Sequence, residues 1–196
     1  MIQFRRSIRS IAEYQTGILP ANAEKLKTPE STDAMMKKTV PLMIAACLLL
    51  NLILFFRIFA ARRLVLSPLM ILPGFLAGLA LLPVHELLHA AVYPRAATVI
   101  VGRLRGRMIL TALASYPMKR GRFILMCLLP FLLGIIPLLW FLLSPADAET
   151  LNGLLFGAAC VGIVSPVPDV YNVMTVLRQA DRHDSILFYG EDLWKC

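Results

Sequence analysis

Residues 80–93 read ALLPVHELLHAAVY, a mostly apolar stretch that carries two histidines and a glutamate in its middle. Hydrocarbon penalises each of these polar groups by kilocalories per mole, so they need a compensating partner. His85 and His89 stand four residues apart, and positions i and i+4 share one face of a helix. Both imidazoles can therefore bind a single divalent cation, and the stretch predicts a metal site in an apolar setting.

The composition of the whole chain indicates the class of protein. Of the 196 residues, 58% are hydrophobic and 16% are charged, which is too apolar for a soluble domain of this size. We therefore predict an integral membrane protein with room for one compact bundle. The net charge of +8 does not indicate a nucleic-acid partner, because no recognition motif accompanies the basic residues, which gather between apolar runs.

Four charge-free runs are each close to the roughly 20 residues that a helix needs to cross about 30 Å of hydrocarbon. They span residues 39–56, 64–84, 123–146 and 151–168. The predicted fold is an all-α bundle of four transmembrane helices in the lipid bilayer of a cell membrane.

Basic residues indicate the orientation of the bundle. They number seven before the first run, seven from residue 95 to 122 and three near the C-terminus, against three in the loop after the first run. Since basic residues are retained on the cytoplasmic side, both termini are predicted to be cytoplasmic.

Two tails are predicted to flank the membrane domain. The three parts are residues 1–38, residues 39–178 and residues 179–196. In the N-terminal tail, Phe4, Ile8, Ile11 and Ile18 recur at helical spacing beside arginines. This pattern predicts either a short amphipathic helix on the membrane surface, ended by Pro20, or a solvated tail.

The loop of residues 95–121 has the composition of β-strands. ATVIVGRL (97–104) and RMILTALASY (107–116) are rich in β-branched and apolar residues, and the Arg-Gly-Arg of residues 105–107 supplies a turn between them. A cytoplasmic β-hairpin between the second and third helices is predicted, with an edge strand free to pair with an extended peptide. The alternative is a basic loop resting on anionic lipid.

The sequence HELLH (85–89) matches the H-E-x-x-H pattern of zinc hydrolases. In this pattern the two histidines bind Zn²⁺, and the glutamate takes a proton from the metal-bound water. His85 and His89 are therefore the predicted ligands and Glu86 is the predicted catalytic base. The alternative is a structural triplet at the membrane interface, with the histidines hydrogen-bonded to neighbouring helices.

A catalytic zinc site normally has three protein ligands, and Asp169 is the predicted third. The second predicted helix rises roughly 32 Å from its start at residue 64 to His85, and the fourth rises roughly 27 Å from its start at residue 151 to Asp169. The histidines and Asp169 are therefore predicted at similar depth, near the cytoplasmic leaflet. Pro166 and Pro168 loosen the helix just before this carboxylate. The alternative is that Asp169 marks the point where the fourth helix leaves the lipid.

Two further polar residues lie in or near the predicted helices. His183 lies past the predicted membrane exit among charged residues, so a solvated helix end is favoured over a ligand. Asn51, in the first helix, is predicted to form a helix-to-helix hydrogen bond.

These motifs resemble a small multi-pass family of putative zincin membrane peptidases, a domain family of unknown function that is similar in layout to the site-2 intramembrane proteases. The resemblance covers roughly residues 35–178 and rests on HELLH, the β-like loop and SPVPD (165–169). It implies zinc ligation by His85, His89 and Asp169, and catalysis by Glu86. Site-2 proteases typically carry Asn-Pro-Asp-Gly where this chain has Val-Pro-Asp-Val, so the contacts to substrate beside the metal differ.

The predicted function is that of an intramembrane zinc metallopeptidase acting on a membrane-associated polypeptide. Two other functions are compatible with the same residues. One is a catalytically silent protein that binds metal or a partner. The other is a small transporter that uses the histidine, glutamate and aspartate side chains as an ion relay.

Overall fold

The computed structural model shows a mostly helical chain with two small β-sheets. It describes residues 1–8, 17–29, 31–104, 110–190 and 192–196. The helices are α1 (Thr32–Ala61), α2 (Pro68–Ala80), α3 (Leu82–Val92), α4 (Arg120–Leu128), α5 (Leu132–Leu143), α6 (Glu149–Val164) and α7 (Val167–Gln179). The strands are β1 (Ile2–Ile8), β2 (Glu24–Lys25), β3 (Val99–Leu104), β4 (Leu110–Leu113), β5 (Met118–Lys119), β6 (Ser185–Tyr189) and β7 (Asp192–Lys195).

The chain divides into two compact units, each made of separate stretches of sequence. The helical unit comprises Lys38–Leu82 and Pro130–Val167. The sheet unit comprises Met1–Lys37, Pro83–Leu129 and Pro168–Cys196.

Glycines allow the helices of the helical unit to pack closely. A Cβ at Gly74 of α2 would collide with the backbone carbonyl of Leu154 in α6. A Cβ at Gly134 of α5 would likewise meet the backbone at Gly162 of α6. Small residues at these positions permit the close approach of the helix backbones.

The sheet unit contains the short helices α3, α4 and α7 and both sheets. In the first sheet β3 is central, with β1 parallel on one side and β4 antiparallel on the other. The second sheet has the order β2-β7-β6-β5 and is antiparallel throughout. One apolar core joins helices to sheets, with Phe123, Val176 and Ile186 wholly buried in it.

Four helical segments are long and apolar enough to cross a membrane, as predicted. They are Asp33–Ala61, Pro68–Val92, Arg120–Leu143 and Glu149–Gln179. Three of them are interrupted, at Leu81, at Leu129–Phe131 and at residues 165–166. A proline lies within or close to each interruption, and it removes a backbone donor and clashes with the preceding turn. These same places separate the two units along the chain.

The predicted hairpin is confirmed where the structure describes it: β3 and β4 are antiparallel, with Ile100 opposite Leu113. The Arg-Gly-Arg turn lies outside the described residues. The fold is nevertheless richer in strands than an all-α bundle with one hairpin, because two sheets are present.

The tails differ from their predicted form. Residues 2–8 are a strand and not an amphipathic helix, because parallel pairing with β3 satisfies their backbone groups and buries Ile8. Ile11 lies outside the described residues. The C-terminal tail forms the hairpin of β6 and β7, for which no strand was predicted. The boundaries at residues 38 and 178 stay a prediction.

Candidate metal centre

Helix α3 carries HELLH on a face that is buried. Pro83 lies in the first turn of the helix, where backbone N–H groups have no partner within the helix, so the missing N–H of proline costs no helical hydrogen bond. The spacing of four residues then places His85 and His89 on one face, where they are only 6% and 7% exposed. Two imidazoles are therefore held together in an apolar interior.

Asp169 lies in the first turn of α7. The chain leaves α6 after Val164 and restarts the helix at Val167, so the prolines do interrupt the fourth segment directly before the carboxylate, as predicted. The N-terminal end of a helix carries partial positive charge and favours an ionised carboxylate. The Asp169 side chain is 20% exposed.

The three predicted ligand side chains converge on one another. The Nε2 atoms of His85 and His89 are 3.0 Å apart. Oδ2 of Asp169 lies 3.6 Å from the first nitrogen and 3.5 Å from the second. Among the described residues, this is the one group of three or more histidine, cysteine, aspartate or glutamate side chains arranged to hold a metal ion.

These distances fit a zinc ion. The point equidistant from the three atoms lies about 2.0 Å from each, which matches the lengths of Zn–N and Zn–O bonds. Two Nε2 lone pairs only 3.0 Å apart repel unless a proton or a cation lies between them. A cation satisfies both imidazoles and the carboxylate together.

The other ring nitrogens of the two histidines differ. Nδ1 of His89 donates to the carbonyl of Met126 at 2.9 Å, which leaves the Nε2 lone pair directed at the site. Nδ1 of His85 is buried and has no hydrogen-bond partner among the described residues. His89 is therefore oriented by a second hydrogen bond, whereas His85 depends on packing.

Glu86 is on the same helix and interacts electrostatically with both imidazoles and with Asp169. Its Oε2 accepts a hydrogen bond of 2.7 Å from the backbone N–H of Ala112 in β4. Two carboxylates beside two neutral imidazoles carry a formal charge of −2, which one divalent cation balances. The predicted base therefore lies between the ligand cluster and the edge strand of the first sheet.

His183 is exposed and does not belong to the ligand group, in agreement with the favoured prediction of a solvated position. Two hydrogen-bond partners of the candidate site were not predicted: the Met126 carbonyl and the Ala112 N–H. Both are backbone groups, so the sequence carries no residue-type signal that could have identified them.

A family model described as "Putative zincin peptidase" matches residues 78–184, more than half of the chain. The matched segment contains the HELLH helix, both strands of the hairpin and Asp169. No curated protein and no solved structure matches the chain.

Proposed function

The chain belongs to the DUF3267 family of putative zincin peptidases, and on this premise we propose that it is an intramembrane zinc peptidase that hydrolyses a membrane-associated polypeptide near the cytoplasmic leaflet. The observation that carries the proposal is the approach of two imidazole nitrogens and one carboxylate oxygen to a common point, with a second carboxylate beside them. Hydrolysis that depends on Glu86 in zinc-containing protein is the decisive test.

The chemistry divides between the ion and the side chains. Zinc, when bound, supplies a Lewis acid that makes water more acidic and polarises the carbonyl of the scissile bond. Glu86 accepts a proton from the attacking water and then delivers it to the leaving amine nitrogen. His85, His89 and Asp169 would hold the ion, and their low exposure limits the access of bulk water to the cluster.

The outer edge of β4 is the proposed binding surface for the substrate chain. Within the described residues β4 pairs only with β3, so its other edge pairs with no strand. The N–H of Ala112 points outward from that edge and donates to Glu86. An extended peptide that adds to this edge would bring its backbone alongside the base, and the Ala112 N–H would pass from Glu86 to a substrate carbonyl.

Ala112→Pro tests the edge because proline lacks the N–H. We expect kcat/KM to fall roughly ten- to hundredfold, the range for an interaction that leaves a buried polar group unpaired. Proline is tolerated where the N–H faces away from the neighbouring strand. The control is Ala112→Gly, which keeps the N–H and should retain most of the activity. Unchanged turnover in Ala112→Pro, with normal zinc content and thermal stability, would exclude this edge.

The proposed orientation places both termini in the cytoplasm and the site near the inner leaflet. The asymmetry of basic residues supports this orientation. The Pro-Asp pair of residues 168–169 resembles the one in site-2 proteases. The aspartate neighbours differ from theirs, since Val167 and Val170 replace asparagine and glycine. The side chains beside Asp169 that would contact the substrate are accordingly less polar in this chain.

Single cysteines test the orientation in whole cells. In a chain whose four native cysteines are replaced by alanine, Asp147→Cys should react with a membrane-impermeant maleimide added outside. Arg182→Cys should react only after the cells are lysed. Both positions are exposed, so accessibility within the fold is matched. The opposite labelling pattern would invert the topology and place the site at the outer leaflet.

A further inference from the structure

Asn51 is a polar side chain in the middle of α1, and it is exposed. It lies roughly 6 Å from the midpoint of the segment Asp33–Ala61, at a rise of about 1.5 Å per residue. Its Nδ2 donates at 2.8 Å to the carbonyl of Cys47 in the same helix. The predicted helix-to-helix hydrogen bond is therefore not made within the described part of the chain.

An amide in hydrocarbon needs more than this one bond. The Cys47 carbonyl is already the acceptor for the helical N–H four residues later, so the side chain shares an acceptor that is in use. No described residue provides a hydrogen-bond partner for its Oδ1 or for its second N–H. Lipid offers no replacement, and unsatisfied amides in an apolar medium cost several kilocalories per mole.

The surface around Asn51 has the spacing of a helix-packing seam. Ile44, Leu48 and Phe55 are exposed, and with Asn51 they follow a pattern of four, three and four residues along one face of α1. A different face carries Leu50 into the core of the helical unit. Only 6% of an apolar 18-residue stretch of this segment is buried.

We propose that this seam packs against the same seam of a second copy of the chain, so that α1 pairs with α1 about a two-fold axis. An amide is both donor and acceptor, and two Asn51 side chains related by such an axis can each donate to the other. A second copy brings its amide to the same depth in the bilayer, whereas an unrelated helix would need a polar group placed there separately. Small polar residues fix register in this way in coiled coils and in membrane helix pairs.

The inference rests on the proposed crossing of the membrane by α1, and it is independent of peptidase activity. Full-length protein labelled with donor or acceptor dye is reconstituted in vesicles of phosphatidylethanolamine and phosphatidylglycerol, and energy transfer is followed as lipid is added. We expect Asn51→Leu to weaken association roughly three- to thirtyfold, the range for one interhelical side-chain hydrogen bond. Asn51→Gln, which keeps the amide, should retain much of the association, and Leu49→Ala should leave it unchanged.

Disulfide cross-linking in native membranes identifies the face. In a chain with its four native cysteines replaced by alanine, Leu48→Cys should form a covalent dimer on oxidation. Leu49→Cys is the matched control, because Leu48 and Leu49 are 66% and 57% exposed and point about 100° apart around the helix. Cross-linking through Leu49→Cys alone would overturn the proposal.

Two other results would also overturn it. One is wild-type protein that is monomeric even at the highest protein-to-lipid ratio. The other is an Asn51-dependent complex with a different membrane protein in place of a second copy. The variant Glu86→Gln should dimerise like the wild type, so a failed peptidase proposal and a failed dimer proposal give different results.

Discussion

Glu86→Gln is expected to lower peptide hydrolysis by about two to four orders of magnitude while the protein keeps its zinc. The glutamine side chain has nearly the same shape as glutamate, but it cannot accept a proton from the attacking water, and general-base catalysis typically contributes about 10²- to 10⁴-fold. Its amide oxygen can still accept the hydrogen bond from the Ala112 N–H, so the sheet edge should be unchanged.

The measurement uses purified full-length protein in detergent, with bound zinc determined by mass spectrometry and cleavage of fluorescein-labelled casein as the probe. Asp147→Asn is the matched control, because it makes the same kind of change at an exposed residue outside the sheet unit. Undiminished cleavage in Glu86→Gln would remove this residue from the base role. Zinc-loaded wild-type protein that cleaves neither casein nor any membrane substrate would instead favour the catalytically silent metal-binding protein.

Substitution of a predicted zinc ligand is expected to cause a large loss of bound zinc. Wild-type protein is expected to hold about one zinc per chain, because three side-chain atoms converge at bonding distance from one point. His85→Ala and His89→Ala should each lose most of the bound metal, since two protein ligands remain. Asp169→Asn should also lose zinc, because an amide oxygen carries no charge and is a weaker ligand than a carboxylate.

Zinc content after dialysis against a chelator distinguishes these variants, and His183→Ala serves as the control because His183 is exposed and outside the cluster. Retention of zinc by both histidine variants would mean that the ion binds elsewhere. If Asp169→Asn retained zinc while both histidine variants lost it, the two imidazoles would stay assigned as ligands. Asp169 would then not be the third ligand.

The convergence of His85, His89 and Asp169 could be predicted to the extent that local spacing controls it, and their role as metal ligands stays a prediction. HELLH fixes two imidazoles on one helical face, and the depth of Asp169 along its own segment could be counted from the sequence. The convergence of the three side chains follows. The hydrogen bond from His89 to Met126 could not be predicted, since any residue type presents a carbonyl and only the tertiary packing of α3 against α4 selects this one.

The strands likewise could be predicted only where their pairing is local in the sequence. The hairpin of β3 and β4 is local and was predicted from its β-branched composition. The pairing of β1 with β3 joins residues about a hundred positions apart, and it overrides a hydrophobic spacing that favoured a helix. Weak local preference yields to long-range hydrogen bonding and burial, which a single sequence does not display.

The helices that carry the three candidate ligands are short: α3 has 11 residues and α7 has 13. Helices of this length have few internal hydrogen bonds, so their packing in the sheet unit contributes to keeping them formed. A cation that binds only the assembled arrangement stabilises it by mass action. Cells starved of zinc would then contain more locally opened chains, and the lifetime of the protein against quality-control proteases would follow the metal supply.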